Sequence, residues 1–201
     1  MDWMYVLAWI FKNYIELLGV ITSVLFTVLS IKQKPAAWIF GIFSAIFYGI
    51  FFYQTNLFAA MALQGYYLAI SIYGWYYWHK SAKSQELDKA LSVKRLTLNL
   101  VLIILIIALP FNLFFCWLLV HIKDNYPLLD SMTTTLSIIA TWMLARKYLE
   151  NWIVWIVTDS VYIGLFFYAK YAPTTVLFII YTVLAIIGFI EWKKAPKAVK
   201  S

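Results

Sequence analysis

The sequence predicts an all-α integral membrane protein with seven transmembrane helices grouped as 3+1+3, the two triplets being parallel repeats. Three observations predict it. Hydrophobic residues make up 64% of the chain and mean hydropathy is +0.81, far more apolar surface than a soluble domain of this length needs. Seven apolar runs follow one another, each close to the roughly 20 residues that cross a hydrocarbon core as a helix. The chain also matches itself, without a gap, at a shift of 114 residues.

After a short interfacial opening at 2–12, rich in Trp and aliphatic residues, the crossings fall at about 14–31, 36–53, 57–78, 96–120, 128–145, 151–169 and 173–192. Pro35, Pro127 and Pro173 lie at or beside helix starts, where a missing N–H costs little. Pro110 lies inside the fourth run and is expected to kink it. The one substantial polar stretch, His79 to Arg95, is too short to be a domain. The expected organisation is a first triplet at 1–78, a cytoplasmic linker with a connecting helix at 79–127, a second triplet at 128–192 and a basic tail at 193–201. No small-residue cleavage site follows a short apolar core, so no signal peptide is expected.

The 114-residue shift places Lys32 on Arg146, Trp38 on Trp152, Tyr48 on Tyr162, Phe52 on Phe166, Tyr67 on Tyr181, Gly74 on Gly188 and Trp78 on Trp192. Glu16 meets Asp130, Ser23 meets Ser137 and Thr27 meets Thr141. Matched Trp, Gly and charged pairs point to duplication rather than to two apolar stretches agreeing by chance. Four crossings separate equivalent helices, so the repeats run the same way through the membrane. In small transporters of that kind the substrate sits between the two triplets.

Basic residues set the orientation. If the N-terminus lies outside, the outer side holds only Lys12, Lys123 and Lys170, and the other thirteen of the 16 Lys and Arg fall on the inner side. That bias predicts an outside N-terminus and a cytoplasmic C-terminus. It also accounts for the net charge of +7 without nucleic acid as a partner. Cys116 stands alone, which excludes an intrachain disulfide and a thiolate metal site. No cofactor is expected.

Of the nine acidic residues, Asp159 alone lies deep within a crossing. A carboxylate there costs about 2.5–3.5 kcal/mol on insertion scales, so it must face the bundle interior or a wet cavity. Trp152, Trp155, Asp159 and Tyr162 share one narrow helical face, suited to a flat, partly polar or cationic molecule. Asp159 either hydrogen-bonds between helices or serves a substrate. Its repeat mate is Ala45 and that of Trp155 is Gly41, so the second half carries chemistry the first lacks. Trp152 reads equally as an interfacial anchor, and Asn151 as a helix cap or a ligand. Ser137 and Thr141, with Thr134, line one face of the fifth crossing, and Gln64 and Tyr67, with Ser71, one face of the third. These serve as substrate contacts or as glue between helices. Glu16 and Asp130 attract cations to an entrance or sit favourably at helix N-termini.

Enzymatic chemistry finds no support. His79 and His121 are far apart, and no nucleophile–base pair is evident. An intramembrane aspartyl protease needs two buried aspartates, and the chain offers one. No Gly-rich nucleotide loop is present, which excludes ATP-driven transport by this chain alone.

The segment NWIVWIVTD carries the pattern WxxWxxxD at Trp152, Trp155 and Asp159, and it resembles the bacterial Pnu vitamin transporters, most closely their nicotinamide riboside branch. ELLGVITSVLFTVLSIKQK, LFAAMALQGYYLAISIYGWYYW, TTTLSIIATWMLARKYLENW and YTVLAIIGFIEWKK also read like segments of that family, so the resemblance spans nearly the whole chain. Ala60 departs from it, standing where many members carry an acidic residue. The resemblance implies a fold related to the SWEET sugar transporters, a trimer, and a bacterial inner-membrane location. It further implies facilitated diffusion of the vitamin, made one-way by phosphorylation inside the cell. The family also has thiamine-carrying members, and thiamine and nicotinamide riboside both present a flat cationic ring, so thiamine is the alternative substrate. A proton-coupled carrier using Asp159 and a non-transporting membrane protein are the readings from other classes.

Overall fold

The computed structural model describes residues 3–55, 58–84, 93–123, 126–168 and 170–195. It contains seven helices: α1 (Trp3–Ile31), α2 (Ala37–Gln54), α3 (Phe58–Ser84), α4 (Leu98–His121), α5 (Pro127–Ala145), α6 (Asn151–Tyr168) and α7 (Ala172–Lys194). Among the described residues there is no β-strand. The middle of the polar stretch after α3, at 85–92, and the basic tail from 196 onward lie outside the described residues.

Six of the helices are long and apolar enough to cross a membrane, and the protein is a multi-pass membrane protein. The sequence pattern suggested seven such helices. α3 falls short by composition, not by length: Gln64, five tyrosines and a polar end dilute its apolar run, although its 27 residues exceed what a crossing needs. α1 bends at Asn13 (φ −114°, ψ 18°), which separates the interfacial opening from the span Asn13–Ile31. α4 is assigned as one helix through Pro110.

Several helices end in the same left-handed turn. After α1 the residue Gln33 has φ 53°, and the next amide, of Lys34, donates to the carbonyl of Leu29 at 3.0 Å. After α5, Lys147 has φ 59° and the Tyr148 amide donates to Met143 at 2.9 Å. After α6, Lys170 has φ 60° and the Tyr171 amide donates to Phe166 at 2.9 Å. Each is a Schellman closure that satisfies the last carbonyls, built without the usual glycine. Gln33 and Lys147 are 114 places apart, as the sequence repeat requires.

The chain divides into two compact units, Met1–Ala90 and Leu91–Ser201. In the first, α2 packs on both α1 and α3. Trp38 is fully buried, with Phe26 of α1 edge-on at 5.2 Å and Trp78 of α3 edge-on at 5.5 Å. Its ring lies over Gly74, where a β-carbon would come within 2.4 Å. Tyr48 covers Gly19 of α1 and stacks along its own helix on Phe52 at 5.9 Å.

In the second unit α6 packs on both α5 and α7, and α4 packs on α5. Trp152 is buried against Gly188 and meets Trp192 edge-on at 5.4 Å. Tyr162 lies beside Thr133 of α5 and stacks on Phe166 at 6.0 Å. Trp152, Gly188 and Trp192, like Tyr162, Thr133 and Phe166, are the 114-residue mates of the groups just described. The same local geometry therefore recurs inside the two units.

The chain entering α4 is tied to the α5–α6 turn. Lys94 donates to the Lys147 carbonyl and accepts from the Leu149 amide, both at 2.9 Å. The Leu96 amide donates to a Glu150 carboxylate oxygen at 3.1 Å, and Arg95 lies 3.8 Å from the other.

Candidate functional site

α6 carries the tryptophan–aspartate face, and its two neighbours complete the surroundings. The Tyr162–Thr133 pair sets the antiparallel register of α6 on α5. Counted from it, Leu136 is level with Asp159 and Ala140 with Trp155, so Ser137 and Thr141 fall one residue from those levels. The contacts Trp152–Gly188 and Tyr162–Phe178 (4.6 Å, stacked) fix α6 on α7 and bring Tyr181 level with Asp159. Trp155, Asp159, Ser137 and Thr141 are thus gathered in one layer of the second unit.

Asp159 is 4% exposed, and among the described residues its carboxylate has no hydrogen-bond or ion-pair partner. Burying a carboxylate without partners is costly enough that such a group is kept for a purpose. Tyr162 stands beside Thr133 of α5, and its ring stacks on Phe178 and Phe166. These contacts brace α6 against its neighbours.

Trp152 is 2% exposed and packed on Gly188 and Trp192, with its indole N–H lacking a hydrogen-bond acceptor among the described residues. Trp38 has the same unpaired N–H in the first unit. Asn151 is fully buried; its amide donates to the Tyr148 carbonyl at 2.6 Å while its Oδ1 is left without a donor. Trp155, one turn deeper than Trp152, is half-buried and makes no ring contact among the described aromatic pairs.

The α5 hydroxyls have a defined polarity. Thr141 donates to the Ser137 carbonyl at 2.7 Å, Thr135 to Ser131 at 2.8 Å and Thr133 to Leu129 at 2.9 Å. Each spends its proton within the helix, so Thr141 can offer a ligand only an acceptor. Ser137 makes no side-chain hydrogen bond among the described residues and can do either.

Gln64 and Tyr67 lie on α3, in the first unit. Gln64 stands beside Gly49 of α2 and Tyr67 against the ring of Tyr66 at 5.6 Å. Asp130 sits in the first turn of α5, where an acid is favoured by the helix end. Tyr181 and Thr133 were not singled out by the sequence pattern. The repeat held the signal for Tyr181, because its mate Tyr67 stood out. Thr133 was hidden because its mate is Gly19.

In the α5–α6 turn, burial pushes the Lys147 amine down to about 8. Among the described residues no three His, Cys, Asp or Glu come together as a metal site would need.

Residues 13–194 match the family of nicotinamide mononucleotide transporters. The chain belongs to that family. Relatives in it are named as transporters, not enzymes. The chain is 28% identical over 203 residues to the nicotinamide riboside transporter PnuC of Escherichia coli (strain K12), covering 90% of this chain and 85% of that one. It is 25% identical to the PnuC of Neisseria mucosa, over 92% of this chain and 74% of the relative. Its fold matches the crystal structure of the vitamin B3 transporter PnuC with a TM-score of 0.73, at 23% identity, over 95% of this chain and 85% of the other. For a nicotinamide mononucleotide transporter family member, a layer with an acid, an indole and acceptor hydroxyls within the membrane is the natural place to look for the substrate.

Proposed function

We propose that this protein carries nicotinamide riboside into a bacterial cell by facilitated diffusion, the substrate being trapped by phosphorylation inside. The observation that carries the proposal is the buried, unpartnered Asp159 one helical turn from Trp155. A pyridinium ring can lie against the indole, a cation–π contact of about 2 kcal/mol when desolvated, with the carboxylate as counter-charge or hydrogen-bond acceptor. Thr141 and Ser137 then meet ribose hydroxyls or the carboxamide. The names of the relatives support the riboside. The same acid disfavours the mononucleotide, whose phosphate would be repelled by it. Trp152, Tyr162 and Asn151 complete the α6 side of the site, and Gln64 and Tyr67 of α3 are proposed substrate contacts of the first unit.

Two triplets, α1–α3 and α5–α7, with α4 as connector, form the proposed 3+1+3 arrangement; the recurring Trp–Gly–Trp and tyrosine geometries support it. The N-terminus is outside, the C-terminus cytoplasmic, the membrane the bacterial inner membrane and the assembly a homo-trimer.

Purified protein in liposomes, offered labelled nicotinamide riboside, the mononucleotide and thiamine in parallel, tests the reading. The riboside should equilibrate across the bilayer without being concentrated. Preference for thiamine would move the substrate to the alternative cation. The buried Asp159 favours one rival mechanism, proton coupling, and accumulation driven by a pH gradient alone would establish it.

A further inference from the structure

We propose that Ala140 of α5 and Ala185 of α7 form the seat of the Trp155 indole and set where the ligand platform stands. Both act through Trp155 and are positioning residues. The functional meaning rests on the reading of Trp155 as a substrate contact; the packing does not.

The helix registers place the two alanines. Counting antiparallel from the neighbouring pair Tyr162 and Thr133 brings Ala140 level with Trp155. Counting from Trp152–Gly188 and from Tyr162–Phe178 brings Ala185 to the same level on the other side. Ala140 is 0% exposed and Ala185 is 2% exposed, so each borders packed space and not lipid.

The first unit shows the opposite choice of sizes at the repeat-equivalent positions. Gly41 is the mate of Trp155, Phe26 that of Ala140 and Ser71 that of Ala185. A β-carbon on Gly41 would lie 2.8 Å from the Ser71 hydroxyl and 3.1 Å from the Phe26 ring. There the phenyl of Phe26 on α1 supplies the bulk, with a serine on α3, and the middle helix supplies none. In the second unit the middle helix carries an indole, the phenyl position shrinks to a methyl and the other flank is a methyl as well. Interiors are close-packed, so a layer cannot hold the large residue from both patterns. The exchange of volume opened room for an aromatic platform on α6, and the alanines keep it open.

The test uses the full chain in detergent, with thermal denaturation and binding of labelled nicotinamide riboside. Ala140→Phe alone should lower Tm and weaken binding by about tenfold or more, because the phenyl occupies the indole's space. In a Trp155→Gly background the same Ala140→Phe should raise Tm above that of Trp155→Gly alone, as the ring enters vacated space just as Phe26 does beside Gly41. A lower Tm on that background overturns the proposal. This comparison needs no folded Ala140→Phe single variant. Ala185→Val should raise Kd several-fold with Tm nearly held, which a merely structural alanine would not do. An unmoved Kd there overturns the positioning role. If Trp155→Gly binds the riboside as well as wild type, the substrate reading fails, while the change of sign in Tm still scores the seat.

Discussion

Trp152 lies flat over Gly188, so close that a β-carbon on the glycine would come within 2.7 Å of the indole. In the first unit Trp38 covers Gly74 in the same way. Rigid ring and helix backbone leave nothing flexible to yield. Gly188→Ala and Gly74→Ala should each destabilise by about 1–3 kcal/mol, the cost of overpacking. Gly65 and Gly164 have open space at that position, so alanine there should be neutral or slightly stabilising. Thermal denaturation of the four variants in detergent separates the two classes.

Trp155→Ala and Asp159→Ala should each weaken riboside binding by about 1–3 kcal/mol, measured by calorimetry. Asp159→Asn should be much milder if the carboxylate mainly accepts hydrogen bonds, and as harmful as alanine if it neutralises the ring. Trp38→Ala should lower stability more than affinity, since Trp38 is wholly engaged in packing. Unchanged binding in both Trp155→Ala and Asp159→Ala would show that the ligand lies elsewhere.

Lys147 gives a pH dependence of known sign. Its amine is lowered by burial from 10.5 to about 8. Between pH 8 and 10.5 the unfolded chain holds a proton that the folded chain has lost, so stability from this residue rises with pH across that window. Below pH 8 the full cost, on the order of 3 kcal/mol, is present. Lys147→Gln, which copies the left-handed Gln33, should raise Tm at neutral pH and flatten the rise. An identical pH profile in the variant would rule this out.

Glu150 anchors the segment that leads into α4 by accepting from the Leu96 amide and facing Arg95. Its first-unit mate is Ala36, so the anchor is new to the second half. Glu150→Ala should speed hydrogen exchange at Leu96, Lys94 and Leu149 with little change in global Tm. The Arg95 pair is largely solvated, so most of the effect, about 1–2 kcal/mol locally, belongs to the amide bond.

The helices were legible because a crossing leaves a run of about 20 apolar residues, and all seven appear close to the expected bounds. Asn13 was legible as the start of the first span, though not as a bend. α3 was less legible, because tyrosine fits both an apolar face and a polar one. At the site, Asp159 declared itself through the cost of burying an acid. Trp152 did not reveal its packing role, which depends on a glycine on another helix 36 places away. Nor could the pattern show that Tyr162 stands beside Thr133 and stacks on Phe178, since such neighbours are set by register between helices.

The left-handed lysines bear on how the chain enters a bilayer. Lys123 and Lys170 close α4 and α6 with φ of 58° and 60°, a backbone shape that costs a residue with a β-carbon about 1–2 kcal/mol. In the proposed topology both lie on the outer face, where a positive charge has to be translocated during insertion. Glycine at either place would ease the turn and remove that burden together. These two corners are therefore where a sturdier, better-inserting preparation of the protein can be engineered without touching the membrane interior.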